Sequence, residues 1–142
     1  MPNKISEIIK LKKVLSQKIK IKDKLGEGTT LNNIGTAYHA QGDYKRALAY
    51  LEVSLKIRQE IGDKSGEGTT LGNIGTAYHA QGDYKRALEY LKSSLKIQQE
   101  IGDKAGLCVT LFNIGHIYVE NNEVQEARSI WIEVYRVAKE TN

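Results

Sequence analysis

The sequence predicts an all-α fold, an alpha-alpha superhelix of three helix-turn-helix units behind one capping helix, and three observations predict it. A 40-residue segment recurs almost verbatim, its apolar residues fall at helical spacing, and glycine-aspartate turn signals interrupt them at fixed intervals. Residues 26–65 and 66–105 agree at 34 of 40 positions, and residues 106–142 hold the register with 9 matches in 37. A period of that length marks a solenoid, in which each unit buries its apolar face against its neighbours instead of in one central core.

Residues 1–22 come first and are rich in lysine. Moved 40 residues downstream, Ile8, Leu11 and Leu15 coincide with Leu48, Leu51 and Leu55, so the stretch 4–22 reads as a lone, degenerate second helix. Such a helix covers the open start of an array and turns its polar side to water. An amphipathic helix lying on a membrane surface is the alternative, and the lack of aromatic anchors speaks against it.

The first unit, 23–63, places Leu31, Ile34 and Tyr38 at i, i+3, i+7 on a helix over 24–40. Gln41-Gly42-Asp43 then stops and restarts the chain, with a glycine suited to the left-handed position and an aspartate suited to the N-cap. Ala47, Leu48, Leu51 and Leu55 carry the second helix over 44–61, and Gly62-Asp63 repeats the turn. The second unit, 64–103, follows with helices over 64–80 and 84–101, and the third, 104–142, with helices over 104–121 and 124–139. Asn122 replaces the turn glycine there, and asparagine tolerates that conformation next best.

Charge and composition narrow the function. The net charge of +4 is local: residues 1–25 hold eight lysines against Glu7 and Asp23, whereas the remainder carries 13 basic and 15 acidic side chains. A nearly neutral body gives no footprint for nucleic acid. No apolar run is long enough to insert in a membrane. One cysteine, Cys108, excludes a disulfide framework and fits a reducing, cytoplasmic setting.

The order Leu31-x-x-Ile34-Gly35-x-x-Tyr38 followed by Ala47-x-x-x-Leu51, with Leu71, Ile74, Gly75, Tyr78, Ala87, Leu91 and then Leu111, Ile114, Gly115, Tyr118, Ala127, Trp131, resembles the tetratricopeptide repeat. Gly35 and Ala47 let the paired helices approach closely. The period of 40 exceeds the usual 34 and the closing proline is missing. The longer unit resembles those of Pins-type spindle-orientation scaffolds and many bacterial arrays.

That resemblance implies a concave groove lined by the first helix of each unit. It places Thr29, Asn32, Asn33, Thr36 and His39 there, then Thr69, Gly72, Asn73, Thr76 and His79, then Val109, Phe112, Asn113, His116 and Glu120. Asn33, Asn73 and Asn113 recur in all three units. A column of amides can pair with both backbone groups of an extended peptide, or it can bond neighbouring helices and tighten the stack; both roles fit. Co-chaperone members of the family clamp an acidic carboxyl terminus with lysines and arginines, which this groove lacks.

Chemistry finds little support. Gly66-x-Gly68-x-x leads to Leu71 and not to a third glycine, and Asp63 separates Gly62 from Lys64, so neither phosphate-loop pattern is met. His39 and His79 stand one unit apart, too far to share a metal without a third ligand. Cys108 occupies the register of Gly28 and Gly68 and reads as a small packed thiol. No catalytic constellation, cofactor site or metal site is expected.

The expected function is therefore a non-catalytic protein-protein interaction module that holds an extended peptide or partner protein in the groove. The alternative is a structural, self-assembling segment of a larger array. The last helix favours contact with a second copy: Ile132 stands where other units have Lys92 and Glu52, Val134 where they have serine. Ile130, Ile132, Val134 and Val137 are expected to join two chains tail to tail, or else to be buried within a tilted third hairpin.

Overall fold

In the computed structural model, residues 3–140 are described. They form seven α-helices: α1 (Lys4–Lys20), α2 (Lys24–Ala40), α3 (Tyr44–Ile61), α4 (Lys64–Ala80), α5 (Tyr84–Ile101), α6 (Lys104–Glu120) and α7 (Val124–Glu140). Consecutive helices pack against each other throughout, and no strand occurs among the described residues. The chain is an all-α solenoid of three antiparallel hairpins, α2–α3, α4–α5 and α6–α7, preceded by α1 as the cap.

Local chemistry sets the helix ends. Gly42, Gly62, Gly82 and Gly102 all take the left-handed conformation at φ values of +79°, +72°, +80° and +71°. Asn122 takes the same place at +60°. After each turn the next residue's amide reaches back to the helix just ended, Asp43 to the Tyr38 carbonyl at 3.0 Å and Asp63 to that of Arg58 at 2.9 Å. The aspartates then cap the next helix, Asp63 accepting from the Gly66 amide at 3.0 Å. This device also shortens α1 relative to the expected 4–22: Lys22, in the register of Gly62, adopts φ +59°, and Asp23 restarts the chain as the cap of α2.

There is one apolar cluster per step of the stack. Ile8 from α1 joins Ile34, Tyr38 and Ala47, with Leu11 and Leu15 alongside. Leu48 and Leu51 join Ile74 and Ala77 of the next unit, and Ala87 and Leu91 join Ile114 and Ile117. Lys12 closes the capped end, donating to the Tyr38 hydroxyl at 3.1 Å above the stacked rings of Tyr38 and Tyr50. That hydrogen bond raises the lysine pKa.

Within a hairpin the helices nearly touch. A Cβ added at Gly35 would lie 2.6 Å from Leu51 Cγ and 3.2 Å from the Ala47 carbonyl. Gly75 meets Leu91 and Ala87 at 2.7 and 3.2 Å, and Gly115 lies under the Trp131 indole. A second tie is polar: the buried Ser54 hydroxyl donates to the Gly28 carbonyl at 2.6 Å, and Ser94 to that of Gly68 at 2.7 Å. The third hairpin loses this bond, because Val134 stands in the serine register and has no hydroxyl to donate; it and Cys108 instead join the apolar cluster of Leu107, Leu111 and Val137. Gly35→Leu is expected to destabilise by about 3 kcal/mol, as overpacking against backbone does, read as a lower denaturant midpoint; an unchanged midpoint removes Gly35 from the crossing.

Candidate functional site

The stack curves toward its first helices. α2 touches α4 and α4 touches α6, whereas among the described residues α3, α5 and α7 make no such contacts with one another. The inner face is thus built from α2, α4 and α6, on which every groove position read from the sequence lies.

Those positions divide sharply by environment. Asn33, Thr36, Phe112 and His116 are exposed, while Asn73, Thr76, His79 and Asn113 are half-buried. Thr36 and Thr76 turn their hydroxyls onto the carbonyls of Asn33 and Asn73, both at 2.9 Å. Asn32 is buried at 7% exposure. Its side-chain oxygen accepts from the Thr70 hydroxyl at 3.1 Å and from the Asn73 amide at 3.0 Å, binding the first unit to the second. Asn73 is therefore engaged in packing, Asn33 is open to solvent, and Asn113 lines a cleft between units.

The histidines also differ. His39 packs against the Tyr44 ring, and its buried Nε2 has no hydrogen-bond partner. His79 Nε2 lies 2.6 Å from a carboxylate oxygen of Glu120 and so joins the second and third units. His116 sits between Phe112 and Trp131. No group of three His, Cys, Asp or Glu side chains among the described residues is arranged to hold a metal ion.

A wedge between units, not foreseen from the sequence, completes the inner face. Arg58 reaches back from α3 with only 7% of its side chain exposed, donating to the Gly66 carbonyl at 2.8 Å and the Thr29 hydroxyl at 3.2 Å. Its Nε lies 3.8 Å from Asp63. Burial lowers the guanidinium pKa and Asp63 opposes that. In the next step the same space is a cleft of about 240 Å³, bordered by Gly72, Asn73, Gln98, Asp103 and Asn113. The signal was available in the sequence: two of the six differences between the near-identical units, Asn32/Gly72 and Arg58/Gln98, fall here.

A second surface lies on α7. Val137 is 3% exposed, and Ile130 and Val134 are half-buried against their own and the preceding unit. Of the four α7 residues expected to form a contact face, only Ile132 is open, at 62%. It borders an apolar cleft of about 510 Å³ with Val119, Val124, Trp131 and Tyr135. Helix rotation separates the sets, since residues 130, 134 and 137 share one side and 124, 131, 132 and 135 another.

Comparison with known proteins agrees with this geometry. A family model for the tetratricopeptide repeat matches residues 11–60 and 66–140, so the chain belongs to the tetratricopeptide repeat family. A search of curated proteins found no significant match. Among solved structures, BtubC from P. vanneervenii is 20% identical at a TM-score of 0.89, over 98% of this chain and 58% of that one. The TPR domain of Arabidopsis FLU is 19% identical at 0.77, over 84% of this chain and 99% of that domain. A Rap protein complexed with Competence and Sporulation Factor is 18% identical at 0.90, over 97% of this chain and 39% of that one. At these identities the likeness is one of fold, and this chain spans little more than half of BtubC. No helix among the described residues is long and apolar enough to cross a membrane.

The His79–Glu120 bond holds the Glu120 carboxyl below its usual range. A lowered folded pKa means that the stabilisation is complete above the ordinary carboxylate value and is lost as the pH falls through the folded one. Glu120→Gln is thus expected to lower the urea midpoint slightly at neutral pH, with the difference from wild type vanishing in acid; a constant difference would exclude the charge as its source.

Proposed function

We propose that the chain is a non-catalytic interaction module that holds an extended peptide segment of a partner protein along α2, α4 and α6. The observation that carries this reading is the cleft on the inner face, where Asn113 and Thr110 stand opposite Gly72 and lack the carboxamide that Asn32 offers Thr70 and Asn73 one unit earlier. Amides and hydroxyls presented at one-unit intervals suit a backbone in extended form. The family match reaches the tetratricopeptide repeat as a whole and does not extend to the narrower Pins-type likeness. The Rap protein above was solved with a bound factor, which fits a ligand-binding use of this fold.

Asn33→Ala, Asn73→Ala and Asn113→Ala combined are expected to weaken peptide capture at least tenfold, on the order of 1.4 kcal/mol, with a modest fall in melting temperature. Asn73→Ala alone should account for most of that fall, because it leaves Asn32 with one fewer donor. Undiminished capture, measured by fluorescence polarisation with a selected peptide, assigns the column to packing.

Self-association is the second reading, favoured by the apolar α7 cleft. The corresponding sides of α3 and α5 are covered by the next unit through Leu48, Leu51 and Ala87, Leu91. On α7, Trp131, Ile132 and Tyr135 stand uncovered within this chain, and a second copy placed tail to tail by a two-fold axis would cover them with one self-complementary patch. Sedimentation should show a dimer that Ile132→Lys dissociates; a monomer at hundreds of micromolar, unaffected by the substitution, ends this reading.

A further inference from the structure

We infer that the cleft between α4, α5 and α6 is a subsite for a guanidinium group, the arginine side chain of the extended peptide; the peptide source rests on the groove reading above. The protein itself shows what fits such a place. Forty residues earlier the equivalent wedge is filled by Arg58 and Asn32. The Arg58 guanidinium there lies among the Gly66 carbonyl, the Thr29 hydroxyl and the Asp63 carboxylate.

All three acceptors recur in the second step as Gly106, Thr69 and Asp103, and all three border the cleft. The cation does not recur. Gln98 puts its amide nitrogen where Arg58 has Nη1: a Cβ on Gly106 would lie 2.8 Å from that nitrogen, and a Cβ on Gly66 would lie 2.7 Å from Nη1. Gln98 is 8% exposed, yet its Oε1 is buried without a hydrogen-bond partner. An orphaned acceptor of that kind is costly unless a donor reaches it. Asp103 uses Oδ1 for the Gly106 amide, as Asp63 does for Gly66, which leaves its other oxygen available.

Gly72 makes the room. A Cβ there would meet nothing nearer than the Ser94 hydroxyl at 3.5 Å, in the register that Asn32 fills in the first unit. The result is a space of about 240 Å³ bordered by Asp103, Gly106 and Thr69, the counterparts of the three residues that surround Arg58, with the unpaired Gln98 carboxamide oxygen buried behind it. A planar fork with several donors and weak hydration satisfies separated acceptors of this sort, and a compact, strongly hydrated ammonium does so less well. Because Thr69, Asn73, Thr76 and Asn113 also border the cleft, it opens on the groove face, where a peptide side chain can enter.

The test selects a random peptide library on the full chain and, in parallel, on Gln98→Arg, which restores the residue the first unit already carries; a melting temperature at or above wild type shows that the variant is folded. The expected result is an arginine enriched at one peptide position on the wild type and lost on Gln98→Arg. Replacing that arginine by lysine or citrulline should weaken binding about tenfold. Peptides recovered by both proteins without an arginine position overturn the subsite and leave the groove reading intact. If no peptide is recovered but acetyl-arginine amide binds the wild type and not Gln98→Arg, the occupant is a small free guanidinium compound and the peptide source is overturned. Binding of neither ends both readings.

Discussion

The close crossing inside each hairpin is the constraint on which the rest of the structure depends. Gly35 and Gly75 face Leu51 and Leu91 with no room for a Cβ, and the buried Ser54 and Ser94 hydroxyls fix the same pairs through the Gly28 and Gly68 carbonyls. An apolar crossing and a buried hydrogen bond on the same two helices restrict both their separation and their rotation. Once each hairpin is rigid, the outward sides of α3 and α5 are preset to receive the next unit. Leu48 and Leu51 meet Ile74 and Ala77, and Ala87 and Leu91 meet Ile114 and Ile117. Stability is then a sum over units and their interfaces, as expected for a one-dimensional stack.

With the hairpins fixed, the variation that changes packing falls in the wedge between them. Two units that agree at 34 of 40 positions share the same crossing, turns and caps, so six substitutions determine how their surroundings differ. Four of the six, Ala49/Glu89, Glu52/Lys92, Val53/Ser93 and Ser65/Ala105, are exposed in both units. Asn32/Gly72 and Arg58/Gln98 lie at the wedge, and they convert a filled, hydrogen-bonded junction into a cleft. The near-identity of the repeats means that the protein displays a wedge filled by its own side chains and an open one 40 residues apart.

Much of the fold was legible because its signals are local. Helical spacing and Gly-Asp turns place the helix boundaries within one or two residues, including the turn at Asn122, where a change of residue keeps the same conformation. The site was legible only in part, because adjacent helix positions point about 100° apart and a neighbouring unit decides which of them is covered. Asn32 and Asn33 show this: one is buried between units and the other is open to water. The α7 residues show it again, with Val137 turned inward and Tyr135 outward. Tyr135 and Trp131 were missed as surface residues because leucines occupy their register in the other units, where a following repeat covers them.

A buried polar group in a repeat has a meaning that depends on its copy. Arg58 is tolerated with 7% exposure because its two terminal nitrogens donate to the Gly66 carbonyl and the Thr29 hydroxyl while the Asp63 carboxylate, 3.8 Å from Nε, offsets part of the cost of burying the charge. Replacing it with glutamine removes the charge but retains the acceptors, so the hydrogen-bonding demand moves from the donor to the walls. Leaving one buried acceptor unpaired costs on the order of 1–3 kcal/mol, which the solenoid tolerates because both flanking crossings are independent of the wedge. A recognition site can therefore arise in such an array by subtraction: two smaller residues expose acceptors that the scaffold already holds in place for a cation of its own.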